Sequence, residues 1–114
     1  MTIERHGVAC RYTDVVAHGD KAYLVATGKS LDEDITTQTR EALASIDSGL
    51  ALAGSDKSRL LQVVVYLPSM ADYDAMNAVW DNWVPEGTAP SRACIQAGLA
   101  NLKMRIEIVV TAAR

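Results

Sequence analysis

The run Leu60-Leu61-Gln62-Val63-Val64-Val65-Tyr66-Leu67, closed by Pro68, decides the fold. Its β-branched and aromatic residues favour an extended backbone, and a proline cannot donate to a ladder, so the run reads as a strand. It is apolar on both faces. One period-two set holds Val63, Val65 and Leu67; the other holds Leu60, Val64 and Tyr66, with Gln62 among them.

Upstream of this strand, Ser30-Leu31-Asp32-Glu33-Asp34 offers a Ser-x-x-Glu capping box and three acids at the start of a helix. Ile35, Thr39, Leu43, Ile46 and Leu50 then recur every three or four residues as one apolar stripe, with Asp34, Arg40, Glu41 and Asp47 largely outside it. Gly54 is the expected stop. Earlier still, Tyr12 to His18 and Lys21 to Thr27 read as a hairpin around Gly19-Asp20, with room for a short strand before it.

Downstream, Met70 to Val84 reads as a second helix. Tyr73, Met76, Trp80 and Trp83 line one side, Asp72, Asp74 and Asp81 solvate the other, and Pro85-Glu86-Gly87 ends it. Ser91 to Ala97 and Met104 to Ala112 read as strands joined by a loop containing Gly98 and Asn101. The order is β-β-α-β-α-β-β, an α+β sandwich with two helices over one face of a sheet.

The other face needs a cover. In the last strand Ile106, Ile108 and Val110 alternate with Arg105, Glu107, Val109 and Thr111, and the first set is expected under the helices. Arg92, Cys94 and Gln96 alternate with Ala93, Ile95 and Ala97. Placed with Leu60, Gln62, Val64, Tyr66 and Glu107 on the far face, Arg92 joins a surface too apolar for water and too charged for a closed core. Association of subunits over that face resolves it. The composition agrees: 114 residues make one domain, and a 49% hydrophobic content is high for so small a core.

Bulk properties exclude several functions. A net charge of −3 gives no basic field for nucleic acid. Met1-Thr2-Ile3-Glu4-Arg5-His6 carries charges where a signal peptide needs an apolar core, and no run approaches a membrane span of roughly 18 residues, so a cytoplasmic protein without membrane contact is expected. Cys10 and Cys94 read as two reduced thiols. Gly28-Lys29-Ser30 imitates the end of a P-loop, but Tyr23 stands where that motif needs glycine. His6 and His18 have no metal-like spacing, and no Gly-x-Ser-x-Gly elbow occurs, so neither a metal nor a nucleophilic serine is expected.

Arg92 and Glu107 remain. Arginine holds a carboxylate bidentately, and a carboxylate can move a proton or orient water, which together suit hydrolysis of a small acid. An interstrand salt bridge is the commoner use of such residues, and residue chemistry alone favours it.

Around these residues the chain resembles a known family. Ala89-Pro90-Ser91-Arg92-Ala93-Cys94 followed by Arg105-Ile106-Glu107-Ile108 is similar to the signature of the RidA (YjgF-like) reactive intermediate deaminases. Tyr12, Val25-Ala26-Thr27-Gly28, Gln38-Thr39, Ala53-Gly54, Val65-Tyr66-Leu67 and Asp72-Tyr73-Asp74-Ala75-Met76-Asn77 extend the likeness over nearly the whole chain. Asp56-Lys57-Ser58, Ala75-Met76-Asn77-Ala78-Val79-Trp80 and Gln96-Ala97-Gly98-Leu99 resemble its YoaB-like branch.

The resemblance implies a single RidA-like domain over residues 1–114 with a chorismate-mutase-like fold. It implies a homotrimer with sheets toward the centre and sites between subunits. It also implies hydrolysis of 2-imino acids and enamines, such as 2-aminoacrylate or 2-iminopropanoate, to 2-keto acids and ammonia, without a cofactor. By position, Arg92 would bind the substrate carboxylate and Glu107 would hold and activate water. Cys94 would contribute backbone groups, Gly28 would permit close approach to the ligand, and Tyr12 and Asn77 would line the site. Lys29, Cys10 to Asp14 and Ala97 to Lys103 depart from the family pattern around this pocket. Two other functions fit the same residues: a non-catalytic trimeric module binding small carboxylates for regulation or chaperoning, and the older family label of endoribonuclease and translation inhibitor.

Overall fold

A computed structural model describes residues 1–114. Six strands, β1 (Ile3–Val8), β2 (Thr13–His18), β3 (Lys21–Thr27), β4 (Leu60–Leu67), β5 (Ser91–Gln96) and β6 (Glu107–Ala113), form one sheet in the order β1-β2-β3-β6-β4-β5. Helix α1 (Ile35–Leu52) joins β3 to β4, and α2 (Tyr73–Trp83) joins β4 to β5. Only the β4–β5 pair is parallel, so the sheet is mixed and the class is α+β. The room left before the hairpin is filled by a full strand, β1.

The connectivity explains why both helices share a face. The chain advances across the sheet in the same direction from β3 to β4, leaving a gap for β6, and again from β4 to β5. Two crossovers of the same hand advancing the same way lay their helices on the same side. The core accordingly lies between that side and the helices: Val15, Ala17, Leu24, Val63, Val65, Leu67, Ile106, Ile108 and Val110 are sealed beneath Leu43, Ile46, Leu50, Met76 and Trp80. No helix is long and apolar enough to cross a membrane.

The apolar stripe of α1 is buried as expected, but the helix begins later than the Ser30–Glu33 capping box requires. Asp34 is the N-cap, its carboxylate accepting the Thr37 N–H at 2.9 Å. That hydrogen bond holds the Asp34 carboxyl below its usual range. Ser30 instead donates its backbone N–H and its hydroxyl to Glu41, at 2.9 and 2.6 Å. At the other end the Ser55 N–H bonds Leu50 O and the Gly54 N–H bonds Ala51 O, a Schellman cap that needs the φ of +77° that Gly54 adopts.

Face assignments change at Leu60 and at Asp72, as they do at Arg92 on β5. β4 carries a bulge between Leu60 and Gln62, so Leu60 turns toward the helices and is buried, while Gln62, Val64 and Tyr66 stay on the open face. Asp72 is mostly buried and pairs with Arg105 at 3.4 Å, so it does not solvate α2.

Candidate functional site

β5 is an edge strand, and its register against β4 sets Arg92 beside Val63 and Cys94 beside Val65. Those valines point at the helices, so Arg92 and Cys94 do too. The far-face placement of Arg92 is thereby overturned. An arginine reaches this side because the sheet edge lets its stem lie over apolar surface while the guanidinium meets α2. There it donates to Asn77 Oδ1 at 2.8 Å, lies 3.8 Å from the Met76 thioether, and sits 5.1 Å from the centre of the Trp80 ring. A guanidinium carries five N–H donors, and these contacts leave several for a carboxylate. Burial pushes the Cys94 thiol up, and the Arg92 charge opposes this only in part. The thiol therefore stays protonated at neutral pH, which suits a packing residue and not a nucleophile.

Glu107 opens β6 on the other face. It stands opposite Thr27 on β3 and Tyr66 on β4. Arg92 and Glu107 are separated by β4 and by three positions along it, about 10 Å across and about 10 Å along, and their side chains project from opposite faces. The interstrand salt bridge is therefore absent, and Arg105 takes the carboxylate partner instead, Asp72.

The remaining candidate residues fall in three places. Asn77 and Cys94 gather with Arg92. Gly28 follows Thr27 and so lies beside Glu107, whereas Tyr12, 68% exposed, lies in the β1–β2 turn, where its carbonyl accepts the Ala9 N–H. Gly28 does permit a close approach, but to helix α1: a Cβ there would lie 2.7 Å from the Gln38 Cβ and 2.9 Å from its Cα. Of the departures from the family pattern, Lys29 is exposed and gives its backbone N–H to Glu41, and the Ala97 to Lys103 loop is tied down at Lys103, whose ammonium meets Asp32 at 2.8 Å. Within the protomer no three or more His, Cys, Asp or Glu side chains converge.

Sequence reasoning undervalued two residues. Trp80, assigned only to the apolar side of α2, is the platform under Arg92. Gln38, quoted only for likeness, is fully buried, and its signal was a polar residue within the stripe at Ile35, Thr39 and Leu43.

Comparison with known proteins places this geometry. The family model described as Endoribonuclease L-PSP matches residues 3–114. The RutC family protein YoaB of Escherichia coli is 42% identical over 113 residues, covering 99% of each chain. A crystal structure of a YjgF protein family member from Neisseria meningitidis superposes with a TM-score of 0.96 at 41% identity, covering 100% of this chain and 96% of that one. A more distant relative, Reactive Intermediate Deaminase A of Arabidopsis thaliana chloroplasts, is 28% identical over 82 residues, which are 72% of this chain and 43% of that protein. With agreement in sequence and fold along its full length, the chain belongs to the YjgF-like (RidA, RutC) family, in the branch of YoaB.

Proposed function

We propose that the protein is a homotrimeric, cofactor-independent deaminase that hydrolyses 2-imino acids and their enamine tautomers to 2-keto acids and ammonia. The observation that carries this reading is the separation of Arg92 and Glu107 on opposite sheet faces. Within one protomer they cannot grip one small ligand; a site that uses both has to bring Arg92 of one subunit to Glu107 of another. The uncovered apolar face supplies the reason for subunits to meet, and the name of the chloroplast relative supports the chemistry.

In such a site the free donors of Arg92 bind the substrate carboxylate, with Asn77 and Trp80 fixing the guanidinium. Glu107 accepts a proton from water as the water oxygen bonds the imine carbon. That proton passes to nitrogen, giving a carbinolamine; Glu107 then takes the proton of the new hydroxyl and hands it to the amine, so that the C–N bond breaks, ammonia leaves and the carbonyl forms. An imine carbon is already electrophilic, so orientation, a placed water and a proton shuttle suffice. Gly28 and Tyr12 border the cleft.

The test is ammonia release from freshly generated 2-iminopropanoate, with sedimentation velocity on each variant. Arg92→Ala is expected to abolish the rate, and Glu107→Gln to lower kcat by about 10²-fold or more, both as trimers. Wild-type protein inert toward several imino acids overturns the reading. If Arg92→Ala abolishes keto-acid binding while Glu107→Gln changes nothing, the protein is a carboxylate-binding module. The description of the matched family model favours a second reading, RNA cleavage. It requires an RNase activity that follows the Arg92 and Glu107 variants and not the purification batch.

A further inference from the structure

Gln38 has a place in the fold that its position in a helix does not require. It lies in the first turns of α1, is fully buried, and bonds to nothing in its own helix through its side chain. Its Nε2 lies 3.3, 3.1 and 3.1 Å from the carbonyl oxygens of Leu31, Glu33 and Lys103, and its Oε1 accepts the Arg105 N–H at 2.9 Å. One amide therefore joins the loop that leaves β3 to the segment that enters β6. No other side chain bonds the backbone on both sides of that junction, and a buried amide with its donors and its acceptor all engaged is costly to disturb.

The junction is where Glu107 stands. Arg105 is two residues before it, and Thr27, its register partner on β3, is followed at once by Gly28. Gly28 covers the Gln38 side chain so closely that a methyl group in its place would meet the Gln38 Cα, Cβ and Cγ at 2.7–2.9 Å. Glycine and glutamine thus form one fitted unit: the missing Cβ admits the amide, and the amide fixes both strand ends. The side chain of Glu107 is left free of structural hydrogen bonds, so its location is set by its backbone.

We propose that Gln38 is a positioning residue for Glu107, holding the start of β6 so that the carboxylate stands in register for the water that attacks the substrate, with Gly28 as its steric partner. This rests on the deaminase reading. It predicts a division of labour: Arg92 on the opposite face governs binding, so loss of Gln38 acts on turnover and leaves substrate affinity alone.

The experiment compares Gln38→Met, which keeps the length of the side chain and removes its hydrogen bonds, with Gly28→Ala and with Thr39→Val, a change at the adjacent buried position. The rate of 2-iminopropanoate hydrolysis is measured across pH, and amide hydrogen exchange is measured on the same samples without substrate. Gln38→Met is expected to lower kcat by tenfold or more with KM within twofold, to shift the acid limb of the kcat profile, and to speed exchange at Arg105 and Glu107. Gly28→Ala, whose added methyl must displace the Gln38 backbone, should do the same to at least the same degree, and Thr39→Val should do neither. An unchanged kcat overturns the proposal, as does a loss lying wholly in KM, or a loss matched by faster exchange throughout the core. An inert wild type sinks the deaminase reading instead; the positioning of Glu107 is then decided by exchange, where unaltered rates at Arg105 and Glu107 in Gln38→Met overturn it.

Discussion

Toward the helices, Val65, Ile108 and Val110 are sealed from water; one step along the same strands, Val64, Tyr66 and Val109 are only half-buried. Farther out on that second face Tyr23, Val25 and Ile95 are 46, 52 and 45% exposed. Both faces are rich in β-branched residues, although the second also carries Thr27, Gln62, Glu107 and Thr111, yet one is closed within the chain and the other is not. The cause is topological. With both crossovers advancing the same way, two helices cover one side and no segment is left to cover its opposite. Exposed apolar residues gathered on one face mark an interaction surface, which is why association of subunits over it is proposed.

The sharpest way to break this comparison is to truncate neighbours that point in opposite directions. Ile108→Ala should cost about 2–5 kcal/mol of stability, through lost burial and the cavity left under α1 and α2. Val109→Ala, one residue on, should leave the unfolding midpoint of dilute protein nearly unchanged and act through association, so that its effect grows with protein concentration. Denaturant melts at two concentrations a hundredfold apart read both. Equal losses at both positions and both concentrations would mean that the open face is closed within the protomer.

A charge probes the same face at lower energetic stake for the fold. Val109→Lys places an ammonium where the proposed subunits meet, and desolvating it there is unfavourable unless it finds a partner. Circular dichroism should show the native sheet, sedimentation should show monomers, and imino-acid hydrolysis should be lost although neither Arg92 nor Glu107 has changed. Activity retained by a monomer would break the link between the separated site residues and the assembly.

The same contrast explains what could be read beforehand. The elements, the stripe of α1 and the two-sided apolarity of β4 follow from periodicity and propensity, which act locally. Alternation along β5 correctly grouped Arg92 with Cys94, but a period of two fixes only which residues share a face. Which face it is depends on the parallel register with β4, a non-local choice, and charge misled because Trp80 and Asn77 provide for a guanidinium on the helix side. Leu60 was misplaced for a similar reason: one extra residue in the β4 bulge inverts the phase, and nothing in the residue types announces it. The capping box lost to Asp34 because Glu41, a full turn beyond Thr37, had a second use for Ser30.

Within the covered face the smallest expected effect tests how polar groups survive there. Gln38 and Thr39 are adjacent and both fully enclosed, but the Gln38 amide is bonded throughout whereas the Thr39 hydroxyl has no hydrogen-bond partner. A buried hydroxyl left unbonded loses its contact with water and gains nothing in exchange, at a cost of about 1–3 kcal/mol. Valine keeps the branched shape, so Thr39→Val removes the unbonded group with little change in packing. The unfolding free energy should stay level or rise by up to about 1 kcal/mol, the gain being limited by the freedom of the hydroxyl to seek weak contacts. A urea titration with unchanged slope measures it. A loss beyond about 1 kcal/mol would show that the hydroxyl is bonded in solution, and that α1 holds the covered face by a polar contact as well as by its apolar stripe.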